Sequence, residues 1–114
     1  MKILVTGANG LLGHHVVMEL LEHCEQVSVV VRSTANIYFN LQRVHVFTGD
    51  FTDYETLKKA ASGCDAVIHA AAVTATHLLH YSDYEKVNVR GSANVLRACN
   101  ELGINNIVFI SSSN

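Results

Sequence analysis

Strand-like and helix-like stretches alternate along this chain, and that alternation constrains the fold more than any other feature. Lys2 to Thr6 is a short apolar run ending at a glycine turn, the pattern of a buried strand. From Leu11 to Cys24, Leu12, Val16 and Leu20 recur every four residues beside Val17 and Leu21, which predicts a helix with one apolar stripe. Val27 to Val31 is β-branched and almost wholly apolar, a strand covered on both faces. Ser33 to Arg43 is hard to read and fits a short helix or a loop. Val44 to Phe47 reads as a third strand. Thr52 and Glu55 match a capping box opening a helix that runs to Ser62, with Gly63 as its stop. Ala66 to His69 is a fourth strand. A long helix begins at Ser82 or Asp83, carries the stripe Val87, Gly91, Val95, Ala98 and Leu102, and ends at Gly103. Ile107 to Ile110 is a fifth strand. Strands joined by helical crossovers pair in parallel, with helices on both faces of the sheet. Right-handed crossovers then predict an α/β, doubly wound, Rossmann-like sheet in the order 3-2-1-4-5, cut off after strand five.

Composition supports one globular domain over residues 1–114. The 114 residues are 49% hydrophobic and 16% charged, with a net charge of −2. Such a chain is too apolar and too weakly charged to be disordered. It has no apolar run long enough for a membrane helix and no segment resembling a secretory signal. Its near-neutral charge gives no reason to expect nucleic acid as a partner. Three widely spaced cysteines, Cys24, Cys64 and Cys99, suit buried free thiols in a reducing, cytoplasmic setting. The histidines do not make a metal site. His14-His15 and His77-x-x-His80 lack nearby Cys or carboxylate partners at zinc spacing, and His15, Glu19 and His23 read as a solvated helix face.

The residues Thr6-Gly7-Ala8-Asn9-Gly10-Leu11-Leu12-Gly13 sit between the first strand and the first helix. In this position Gly7 permits a tight turn, Gly10 lets a phosphate approach the backbone, and Gly13 lets the helix pack closely. The helix N-terminus adds free N–H groups and partial positive charge for a pyrophosphate. The end of the second strand falls near the ribose of a bound dinucleotide. A carboxylate there favours NAD, but this chain has Arg32-Ser33. Arg32 can pair with a 2′-phosphate and Ser33 can add a hydroxyl, so NADP is expected ahead of NAD.

These motifs resemble the extended short-chain dehydrogenase/reductase family, which includes nucleotide-sugar epimerases and dehydratases. The dihydroflavonol-reductase-like and 3β-hydroxysteroid-dehydrogenase-like members are most similar at Val31-Arg32. Thr6 to Gly13 matches TGxxGxxG, and the resemblance implies cofactor contacts along Thr6, Gly7, Asn9, Gly10, Leu11, Leu12 and Gly13. Gly49-Asp50-Phe51-Thr52-Asp53 resembles the family's G-D-hydrophobic-x-D. It implies that Asp50 meets the adenine amino group, with Phe51 contributing its backbone; Asp50 can equally cap a turn. His69-Ala70-Ala71-Ala72 is similar to H-x-A-A, where small residues let the cofactor lie against the backbone. Asn88-Val89-x-Gly91-Ser92-x-Asn94 is similar to N-V-x-G-T-x-N, whose first asparagine helps organise the active site. Phe109 to Ser113 resembles the strand-five motif that carries the catalytic serine, which the resemblance places at Ser113, with Ser112 second.

The family's chemistry also needs Y-x-x-x-K on the helix after strand five, and the sequence stops at Asn114. The chain is therefore expected to be inactive alone and to lack the substrate-binding part. One such string occurs, Tyr54 to Lys58, but it opens the helix between strands three and four, where this fold puts no chemistry. Two functions fit. One is the cofactor-binding portion of an oxidoreductase, epimerase or dehydratase acting by hydride transfer on a carbonyl or sugar-nucleotide substrate. The other is a non-catalytic dinucleotide-binding module or inactive fragment. The apolar fifth strand, expected at an exposed edge, predicts pairing with another copy, and hence a homo-oligomer or aggregate.

Overall fold

The computed structural model describes residues 1–23, 25–35, 37–70 and 81–110, the side chains of 81–87 excepted. In chain order the elements are β1 (Lys2–Thr6), α1 (Leu11–Glu22), β2 (Gln26–Val31), a single 3₁₀ turn (Leu41–Arg43), β3 (Val44–Thr48), α2 (Tyr54–Ala61), β4 (Ala66–His69), α3 (Tyr81–Leu102) and β5 (Asn106–Phe109). The five strands form one parallel sheet in the order β3-β2-β1-β4-β5, as the alternation predicts.

Strand alternation sorts the core into two layers. Ile3, Val5, Val27, Val29 and Val31 face α1, where Val17 and Leu21 cover them. Leu4, Val30 and Val67 face the opposite way, onto Leu57, Ala60 and Ala61 of α2 and Val95 and Cys99 of α3. Burying each such Val or Leu contributes about 1.5–3 kcal/mol. Cys64 and Cys99 are buried free thiols, and burial raises the pKa of both; Cys24 lies outside the described residues.

Three local expectations change. First, the buried line of α1 is Gly13, Val17 and Leu21, with Val16 and Leu20 at its border, whereas Leu12 is 52% exposed. Gly13 must face the preceding turn, and this sets the rotational phase of the helix. Second, the capping box does not form: Asp53 is the N-cap of α2, and Thr52 lies outside the helix. The reason is competition. Asp50 Oδ1 accepts from both the Thr52 N–H and the Thr52 hydroxyl at 2.9 Å, forming an Asx turn. The Thr56 hydroxyl instead donates to Asp53 Oδ2 at 2.6 Å. Third, the stretch after β2 is irregular but tied down. Phe39 is buried in the α1-side core, Arg43 Nη2 donates to the Leu21 carbonyl at 2.8 Å, and the Tyr38 N–H donates to His14 Nε2 at 3.1 Å.

Candidate functional site

The sheet order reverses direction between β1 and β4, because the chain winds outward to β2 and β3 and then returns to the other side. At such a switch point the connections leave the strand ends on opposite faces and open a crevice, where ligands of these sheets bind. Thr6 and His69 are the facing last residues of β1 and β4. Their side chains, Thr6 Oγ1 and His69 Nδ1, are 2.6 Å apart, and the Ala70 N–H donates to the Thr6 carbonyl at 3.2 Å. The His69 ring also lies edge-on to Phe51 and Phe109, at centroid distances of 5.4 and 5.6 Å. Burial lowers its pKa, so the imidazole is neutral at pH 7.

The glycine turn leaves β1 at this point. Gly7 has φ +74°, a conformation that favours glycine, and its carbonyl accepts from the Gly10 N–H at 3.0 Å. A Cβ on Gly13 would stand 1.9 Å from the Gly7 carbonyl oxygen, so α1 can begin this close to the turn only with glycine there. The close approach is to the turn itself rather than to the body of the strand. Gly10 is the N-cap of α1; it supplies no side-chain cap, and no acid occupies the first helical turn. Asn9, Gly10, Leu11 and Leu12 are exposed. Among the described residues no side-chain cap or first-turn acid competes for the first-turn N–H groups, the condition a phosphate-binding helix end requires.

The other residues singled out from sequence lie at strand ends and on α3. Arg32 and Ser33 follow β2 and are exposed; Ser33 Oγ accepts from the Ala35 N–H at 3.1 Å. Asp50 and Phe51 follow β3. Both readings of Asp50 concern the same group, since the carboxylate that could meet an adenine already closes the Asx turn through Oδ1. Asn88 is half-buried on α3. Ala71, Ala72, Ser112 and Ser113 lie outside the described residues. The structure adds Gly91, Asn94 and Phe109 to the surroundings of the site. The spacing of the asparagine–glycine motif on α3 was the available signal for the first two.

Tyr54 and Lys58 lie elsewhere, on the outer seam between α2 and α3. Tyr54 donates to Glu101 Oε2 at 2.5 Å, Lys58 Nζ is 2.9 Å from the same oxygen, and Arg97 stacks 3.9 Å above the Tyr54 ring. Desolvation and the bond to Glu101 raise the Tyr54 pKa. The pair is thus tied into the α2–α3 seam through Glu101.

A parallel sheet that reverses at β1 and β4, with a glycine turn and a bare helix N-terminus at the reversal, defines the dinucleotide-binding class of doubly wound folds. Residues 3–114 match the NAD dependent epimerase/dehydratase family, and the chain belongs to it. It is 39% identical over 114 residues to 2-alkyl-3-oxoalkanoate reductase of Stenotrophomonas maltophilia, covering 98% of this chain and 33% of that protein. It is 32% identical over 120 residues to the inverting UDP-N-acetylglucosamine 4,6-dehydratase of Campylobacter jejuni, covering 97% and 36%. The solved UDP-glucose 4-epimerase of Thermotoga maritima, with UDP-glucose, superposes at TM-score 0.85 and 28% identity, over 98% of this chain and 38% of that one. The chain therefore spans about a third of the length of the curated relatives it matches. No helix among the described residues is long and apolar enough to cross a membrane.

Proposed function

We propose that this chain is the cofactor-binding portion of an oxidoreductase, epimerase or dehydratase that moves hydride to or from a carbonyl or sugar-nucleotide substrate. The observation that carries the reading is the glycine cradle: Gly13 packed against Gly7, beneath an α1 N-terminus free of side-chain caps and acids. The group fits there because the cradle leaves backbone N–H groups open to a pyrophosphate. Thr6, Gly7, Asn9, Gly10, Leu11, Leu12 and Gly13 would hold the phosphates, Asp50 and Phe51 the adenine. His69, Ala70, Ala71, Ala72 and Asn88 would line the remainder. The bound nicotinamide would supply the hydride acceptor or donor. Ser113, with Ser112 second, is assigned to the chemistry.

The cofactor is NADP ahead of NAD. Arg32 is exposed at the end of β2, where its guanidinium can meet a 2′-phosphate in a bidentate pair. Titrating NADPH and NADH by calorimetry tests both parts of the reading. NADPH is expected to bind more tightly, with the preference abolished in Arg32→Ala. Binding of neither removes the assignment, and tighter NADH binding removes the role of Arg32.

A second reading is a non-catalytic binding module, and a Y-x-x-x-K on the helix after strand five of the full-length protein would dismiss it. Among the described residues β5 pairs only with β4, and Val108 and Phe109 are exposed on it. We expect self-association through that edge, and a monomer at high concentration in sedimentation would count against it.

A further inference from the structure

We propose that Asn94 is a positioning residue for the adenine end of the dinucleotide, acting through the loop of residues 49–53. This rests on the reading above that the crevice holds a dinucleotide.

The loop that carries Asp50 is bonded mainly to itself: the Asp53 N–H donates to the Asp50 carbonyl at 2.9 Å and the Thr56 hydroxyl to Asp53 Oδ2 at 2.6 Å. Its entry is pinned where the Gly49 N–H donates to the Val31 carbonyl at 2.9 Å, beside Arg32. Its interior is closed by the Asx turn of Asp50 and Thr52. These bonds within the loop do not tie it to α3. Two contacts from α3 do. The Asn94 side-chain amide donates to the Thr52 carbonyl at 2.7 Å and reaches the Phe51 carbonyl at 3.4 Å. One turn earlier, Gly91 leaves room for the Phe51 ring: a Cβ there would stand 2.1 Å from Phe51 Cε2. The same ring touches His69, which bonds to Thr6 at the start of the glycine turn.

A continuous path of contacts therefore runs from α3 through Phe51 and His69 to the phosphate cradle. Asn94 is the polar member of the α3 clamp. Carbonyls of a loop without regular structure need a donor, and here α3 provides it from outside the loop. Loss of that donor frees the segment bearing Asp50 while leaving the glycine turn intact, so the damage should be confined to ligands that carry adenine.

The test compares ADP-ribose with inorganic pyrophosphate, the latter lacking adenine, by calorimetry on the wild-type chain and on Asn94→Ala and Asn94→Asp. Alanine is the strongest helix former and does not weaken α3, whereas aspartate keeps the shape and removes the donor. ADP-ribose affinity is expected to fall at least fivefold in both variants, with pyrophosphate within twofold of wild type. Unchanged ADP-ribose binding in a folded variant overturns the proposal. So does a parallel loss of both ligands, or loss of the fold in both variants, either of which makes Asn94 a scaffold residue. Failure of the wild-type chain to bind ADP-ribose removes the dinucleotide reading itself, and the proposal with it.

Discussion

Thr6 and His69 face each other as the last paired residues of β1 and β4, and their side chains meet at 2.6 Å. Backbone register and side-chain bond thus fix the same point, the strand ends at the switch between β1 and β4. His69 is buried with a lowered pKa, so protons bind the unfolded chain more readily than the folded one at mildly acid pH. Stability is therefore expected to decline as pH falls below the ordinary histidine value of 6.5, until the folded-state pKa is passed. Denaturant melts between pH 7 and 5 should show a shallower decline in His69→Gln.

Gly13→Ala would place its methyl 1.9 Å from a backbone oxygen that cannot rotate away. Thermal melting should show a loss at the upper end of the overpacking range, about 3 kcal/mol, with cofactor binding abolished.

Gly91→Ala meets a side chain, the Phe51 ring, rather than backbone. Its cost should be about 1–3 kcal/mol. Phe51→Leu in the same chain should recover part of it, because the smaller side chain vacates the contested space. A double-mutant cycle measures the coupling, and strict additivity would argue against this contact.

Glu101 accepts from Tyr54, Lys58 and Arg97, and these bonds lower its pKa from 4.5 to about 2. A depressed carboxylate stabilises above its unfolded pKa, and that contribution is lost as pH falls through the folded value. The loss should fall between about pH 4.5 and 2 and be absent in Glu101→Gln. Tyr54→Phe should leave cofactor binding unchanged.

Strand order and the glycine turn were readable because both follow from local pattern: β-branched runs, helical stripes and three spaced glycines. The misreadings arose where two local rules competed for one group. Thr52 fits a capping box by spacing, but Asp50 is closer and captures its hydroxyl. Leu12 fits the apolar stripe of α1, but the steric demand of Gly13 turns the helix. Contacts between distant residues left little local trace. Nothing around Phe39 announces its burial, and the clamp of Asn94 on Thr52 joins residues 42 apart.

The bare N-cap at Gly10 has a consequence for anyone stabilising this chain. Among the described residues a Cβ there would meet only the Gly7 oxygen, at 3.4 Å, which leaves room for aspartate or serine. Gly10→Asp would cap α1 and complement its dipole, raising the melting temperature through a gain of up to about 1 kcal/mol. The same carboxylate would sit where the proposed pyrophosphate would dock. Position 10 is therefore a place where a more thermostable protein and a working one are different molecules, and selection for heat resistance alone would choose the wrong one.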